Sequence, residues 1–289
     1  MGLVMVQGYF CDSIGKKIIY QALHFFTLAF PRKGVGAFAA IPGRPAGQHK
    51  NACFFIGHGN PQNAFRDNPF TRSLTQMGQA VNPSAILVIS AHWLSLGDTF
   101  ISTRPKYENT EYKVVGAPSV ADLVMEQNTG IVSDSYRQLD HGAWAILRHI
   151  KPKADIPVLE LSIDMEKPLD YHWRLSQQLR SLRDRGVLII GSGNIVHNLE
   201  LSALKFFSSK PYGWAIEFDE WVKGRIDDRD FSSLFYYFKL GTIADRAVPT
   251  MDHYLPMLYS LALADANEPI TYTYEEVFSG ISMRCFRIG

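Results

Sequence analysis

The chain has 289 residues, 46% of them hydrophobic and 20% charged, with 29 basic against 28 acidic side chains and a formal net charge of +1. That length allows a sizeable core, and a balanced charge without a basic stripe argues against nucleic acid as a partner. The three cysteines, Cys11, Cys53 and Cys285, lie far apart, which argues against a disulfide framework or a zinc ribbon and fits a reducing cytoplasm.

Residues 1–50 differ from the rest. Ile18 to Phe30 is mostly apolar and follows Lys16-Lys17, which superficially mimics a signal peptide. It contains Gln21, His24 and Thr27, however, and falls short of the about 20 residues that span a bilayer. Ile41 to Gly47, rich in Gly and Pro, reads as a linker. The expectation is an atypical, poorly ordered N-terminal extension over 1–50, one domain over 51–289 and no membrane partner.

Ala52 to Ile56 reads as a short strand leading into Gly57-His58-Gly59. Pro69 to Val81 reads as a helix. Ser84 to Trp93 is an apolar run with β-branched Ile86, Val88 and Ile89, the pattern of a central strand buried on both faces. It delivers His92 at its carboxyl end. Thr99 to Thr103 is a further strand, Arg104 to Val115 is polar and irregular, and Pro118 to Gln127 is a helix with Pro118 at an early position. Asp140 is placed to cap a helix over Gly142 to Ile150, with His141 at its N-terminus.

Ile156 to Ile163 reads as a strand, and Leu169 to Arg185 as an amphipathic helix stopped by Gly186. Val187 to Ile190 is a second fully apolar strand, opening into Gly191-Ser192-Gly193-Asn194 ahead of His197. Tyr212 to Ile226 and Tyr254 to Ala264 are helices, with His253 just before the second. Ile270 to Tyr274 and Ile281 to Ile288 are closing strands, expected to pair. The alternation predicts an α/β fold: a single layered domain with a mixed central sheet flanked by helices.

Three histidines share a context. His58, His92 and His197 each follow an apolar strand, and in such sheets the carboxyl ends of strands converge on the ligand-binding edge. One such histidine is more often an ordinary hydrogen-bonding residue; three on one edge shift the expectation toward an imidazole-rich metal site, whose three neutral nitrogens would leave open positions for substrate. His141 and His253 can reach the same edge through loops. His24 and His49 lie in the extension, and His149 and His172 are expected at the surface. Ser192 lacks the spacing of a nucleophile elbow or a phosphate loop. Glu160 and Asp164 sit on a strand without an evident carboxylate partner.

Six segments then occur in one order: Phe55 to Pro61, Ser90 to Trp93, Leu139 to Trp144, Pro157 to Asp164, Gly191 to Leu199 and His253 to Pro256. This ordered set resembles the class III extradiol ring-cleavage dioxygenases, in their 4,5-DOPA dioxygenase-like branch, over roughly residues 52–289. The resemblance implies one divalent metal ion, Zn(2+) or Fe(2+), held by His58, His92 and His253. It implies His197 as the acid–base residue, or a further ligand where zinc is bound, and His141 lining the pocket. The implied partners are a small aromatic diol, DOPA-like or related, and O2. Competing readings on the same scaffold are a zinc-dependent hydrolase and a catechol-binding protein without catalysis.

Two departures from the family stand out. The connection over 104–117 is short, lacking a Phe-Gly-Gly-Phe-Pro-like loop that would cover the substrate, and residues before about 50 have no counterpart. Asp252 also stands where members often have glutamate. A carboxylate there can compete as a ligand or orient the neighbouring imidazole.

Overall fold

The computed structural model describes residues 8–11, 17–20, 50–108, 111–204 and 210–289. Residues 1–39 and 40–289 form two units. In the first, Gly8–Cys11 pairs antiparallel with Lys17–Tyr20. Apart from Lys50, the remainder of the expected N-terminal extension, including the signal-like run beyond Tyr20, lies outside the described residues, as do His24 and His49.

In the second unit, eight strands make one sheet: β1 (Cys53–Gly57), β2 (Ala85–Ser95), β3 (Thr99–Ser102), β4 (Ile131–Asp134), β5 (Val158–Asp164), β6 (Val187–Gly193), β7 (Ile270–Tyr274) and β8 (Cys285–Ile288). Their spatial order is β7-β8-β1-β6-β2-β5-β3-β4. The central strands β1, β6, β2 and β5 are parallel. β8 is antiparallel to β1, and β3 to β5, so the sheet is mixed as expected.

The central strands bury alternate side chains on opposite faces. Cys53, Phe55, Leu87, Ile89, Val187 and Ile189 face one core cluster, whereas Phe54, Ile56, Ile86, Val88, Leu188 and Ile190 face another. The second face is covered by α1 (Pro69–Gln79) and α3 (His141–Ile150). Across the first lie α2 (Pro118–Gln127), α4 (Leu169–Leu179), α5 (Gly213–Asp227) and α6 (Leu255–Ala262). Among the described residues, no helix is long and apolar enough to cross a membrane.

Several elements differ from the sequence-based expectation. The strand carrying His92 does not stop there; it runs on to Ser95, with a register shift against β5 between Ile89 and Leu94. β6 continues through its glycines to Gly193. The predicted closing strand Ile281 to Ile288 divides: Ile281–Ser282 pairs with Val277–Phe278, and only Cys285–Ile288 joins the sheet. Ser282 Oγ and Arg284 Nε both bond the buried Asp219 of α5, at 2.6 and 3.0 Å, which draws the chain out of line between the two pieces. The helix expected over Leu169 to Arg185 breaks at Arg180 into α4 and a short turn, Ser181–Asp184. Strand β4 is not evident from periodicity because, at the sheet edge, it buries Ile131 alone. The segment expected to be irregular contains a small hairpin, Lys106–Tyr107 with Val114–Val115, and buries Tyr107 and Tyr112.

Candidate metal centre

The end of β6 joins two histidine-bearing loops. Gly193 accepts the His58 backbone N–H at 3.0 Å, and the Asn194 N–H donates to the His253 carbonyl at 2.9 Å. A Cβ on Gly193 would stand 2.3 Å from that carbonyl oxygen, so glycine is what lets the His253 segment come this close. The expected result of Gly193→Ala is displacement of His253 and a metal affinity about 10–100-fold weaker, on the scale of other supporting changes. A chelator-competition titration checks this; unchanged affinity would contradict it.

His58, His92 and His253 converge. Their nearest ligand atoms all lie within 4.8 Å of one another. The ring centroids stand 4.9 Å (His58–His92), 5.3 Å (His58–His253) and 4.9 Å (His92–His253) apart. His58 and His253 are buried and His92 is partly so.

Hydrogen bonds set the tautomers. Ser192 Oγ donates to the Gly142 carbonyl at 2.6 Å, so it accepts from His58 Nδ1–H at 3.0 Å. His253 Nδ1 donates to Asp252 Oδ2 at 3.0 Å, because an ionised carboxylate only accepts. Both rings therefore present a bare Nε2 inward. Asp252 thus bonds an imidazole and is itself fixed by Thr250 Oγ1 at 2.6 Å, an arrangement that suits the orienting role of the two expected for it. Burial works against ionisation of Asp252, but the hydrogen bonds from His253 and Thr250 outweigh it and hold its carboxyl well below the usual range.

Two observations fit a metal ion. His253 Nε2 is buried with no hydrogen-bond partner. His58 Nε2 and His92 Nε2 stand 3.1 Å apart. Two nitrogens on one ion at about 2.0–2.1 Å are separated by roughly 3.0–3.4 Å, so this spacing suits a shared cation.

Burial in the site favours the neutral form of His58, His92 and His197, the form that metal ligation requires. Burial, reinforced by neighbouring histidines, holds His58 well below its usual pKa. Burial, then His141 and His253, lowers His92 to about 4, and burial, then His253, lowers His197 to about 3. In the unfolded chain these rings protonate as the pH passes below about 6.5; in the folded chain they resist, so the unfolded state binds more protons. Stability of the metal-free protein is thus full above that value and falls as the pH drops toward about 4. Thermal melting of chelator-treated protein should show a lower Tm at about pH 5 than at about pH 7.5, a window above the ordinary carboxylate range. A flat or rising Tm on acidification would contradict this.

His141 and His197 flank the trio. His141, first residue of α3 after the N-cap Asp140, is half-buried with its ring centroid 3.8 Å from that of His92. His197 lies flat on His253, with centroids 3.4 Å apart and planes at 7°, and its backbone N–H donates to the Ala247 carbonyl at 2.9 Å. It stands outside the compact three-histidine group.

The surface placement expected for two other histidines needs correction. His172 is buried, with Nδ1 2.9 Å from the Tyr259 hydroxyl, because its face of α4 packs on α6. His149 is partly buried, with Nε2 2.8 Å from the Asn63 carbonyl. Sequence reasoning also misses a polar cluster behind His92. Glu160, fully buried, has a carboxylate neighbour after all: Asp140, whose N–H donates to its Oε1 at 3.4 Å. Burial, then Asp140, pushes Glu160 well above the usual carboxylate range. Arg137 donates to Asp140 Oδ2 at 2.9 Å and lies 3.5 Å from Glu160 Oε2. The one signal for this cluster is Ser90, two residues before His92 on the same face of the strand.

Residues 49–278 match the family described as the catalytic LigB subunit of aromatic ring-opening dioxygenase. The chain is similar to a 4,5-DOPA dioxygenase extradiol of Escherichia coli (strain K12), 36% identical, with 81% of this chain and 93% of that protein covered. It is similar to a protein of the same name from Beta vulgaris, 30% identical, covering 79% and 92%. A crystal structure of an uncharacterized Escherichia coli K12 protein superposes with a TM-score of 0.75 at 36% identity, covering 82% of this chain and 99% of that one.

Proposed function

The chain belongs to the LigB family of aromatic ring-opening dioxygenases and is a ring-cleaving dioxygenase of the extradiol class, and from that premise we propose that it opens a DOPA-like catechol with a divalent metal held by His58, His92 and His253. The observation that supports this most is the pair of locked tautomers, which turn His58 Nε2 and His253 Nε2 toward the same point as His92 Nε2. When bound, Fe(II) there supplies an electrophile for the two hydroxyl oxygens of the catechol and a route for electrons from ring to O2.

The chain's own residues do the rest. His197 lies against His253 beside the three-histidine group, so its ring nitrogen can take the proton of the second hydroxyl and later return it to the leaving oxygen. Its stacking on His253 leaves its nitrogens in a parallel plane, which favours this role over ligation. His141 holds a substrate oxygen beside His92 and orients the ring. The extradiol-type domain is the one over 51–289 and, given the low cysteine count, its place is the cytoplasm.

The test is anaerobic reconstitution with Fe(II), followed by a catechol panel with O2 uptake and the yellow ring-opened product as readouts. The expected result is coupled O2 uptake and product formation with a DOPA-like diol. Absence of turnover at full iron occupancy, or activity that survives with zinc and without O2, would overturn it.

A further inference from the structure

The register shift after Ile89 takes the ligand strand out of its pairing with β5 around His92. The His92 carbonyl accepts instead from Arg137 Nη2 at 3.2 Å. The same guanidinium donates to Asp140 Oδ2 at 2.9 Å and lies 4.9 Å above the Trp93 ring. The other oxygen of Asp140 accepts from Ser90 Oγ at 2.8 Å and from the Ala143 N–H at 3.1 Å, which caps α3. Strand β2 is thus tied to the residue immediately before His141 directly through Ser90 and, by way of Arg137, through the His92 carbonyl. The fit is close: a Cβ on Gly142 would meet Ser90 Oγ at 2.7 Å and His92 Cδ2 at 3.0 Å.

We propose that Arg137 and Ser90 are positioning residues, which through Asp140 lock the start of α3 to the ligand strand and so set the gap between His92 and His141 where a substrate oxygen is held. The proposal rests on the metal-site and dioxygenase reading above. Neither residue touches the reacting atoms. Arg137 is partly buried and bonded to two elements at once, and its five donors in a fixed fork suit a bridge that a lysine cannot reproduce. Loosening the bridge frees His141 while leaving His253 and Asp252 in their own separate contact; Ser192, which bonds both His58 and the Gly142 carbonyl, is the remaining tie between β6 and the start of α3.

The experiment uses the full chain with labelled histidines, in Arg137→Ala and Ser90→Ala variants. The His92–His141 ring-to-ring NOE should be strong in the wild type, as centroids 3.8 Å apart require, and several-fold weaker in both variants. The His253 resonances, set by the contact with Asp252, should stay in place, which a general loss of structure would not allow. If Arg137→Ala does not fold, Ser90→Ala carries the test. An undiminished NOE overturns the proposal.

A second arm measures 4-nitrocatechol binding to the zinc-loaded chain. Arg137→Ala should weaken binding at least tenfold in the wild-type background and less than twofold in His141→Ala, since the pair acts as a unit. Equal losses in both backgrounds overturn the proposal. Both arms need no turnover. A protein that shows the NOE and its loss, yet cleaves no catechol, would sink the dioxygenase reading and leave the positioning role standing.

Discussion

His92→Ala is expected to strip the metal from the protein while leaving its fold intact. The ring supplies one of three inward nitrogens, 3.1 Å from His58 Nε2. Groups that merely orient ligands are worth about 10–100-fold in affinity, so loss of a ligand itself should exceed about 100-fold. The fold should hold because His92 is only partly buried, while the neighbouring strand residues Ile86 to Ile89 anchor β2 in both core clusters. Metal analysis after dialysis, beside a thermal melt, checks the claim. A variant that retains one metal per chain at wild-type affinity would remove His92 from the ligand set.

His197→Ala should behave in the opposite way, keeping most of the metal and losing turnover. His197 stacks on a ligand ring and lies outside the compact group, so its removal leaves the three inward nitrogens in place. What it removes is the proton acceptor proposed for the second hydroxyl. Positioned acid–base groups contribute about 10²–10⁴-fold, so kcat should fall by that order with metal content near wild type. If His197→Ala loses metal as readily as His92→Ala, the division between ligand and acid–base residue is wrong.

Much of this site is legible in the amino-acid sequence. Apolar runs ending in small residues mark the strands at Phe54, Val88 and Ile189, and parallel strands bring their ends to one edge. Periodicity cannot place His92 correctly within its strand, because the register shift that carries β2 on to Ser95 depends on pairing with β5. Nor can it find the groups that set the tautomers. Ser192 lies 134 residues from His58 in the chain, and its neighbouring glycines invite a search for a nucleophile. Its hydroxyl serves as an acceptor instead. Arg137 and Glu160 are hidden for a related reason: a buried charge is meaningful only beside its partner, and those partners arrive from β2, β5 and the loop before α3. His172 misleads because the polar residues beside it, Asp170 and Arg174, mark the exposed side of α4, whereas His172 turns inward to Tyr259.

The most direct test of the account is the fate of isotopic oxygen. Fe(II)-reconstituted protein turning over a DOPA-like catechol under 18O2 should place both labelled atoms in the ring-opened product, trapped before its aldehyde exchanges with water. Product carrying neither label or only one would contradict extradiol dioxygenation and turn the three-histidine site to other chemistry.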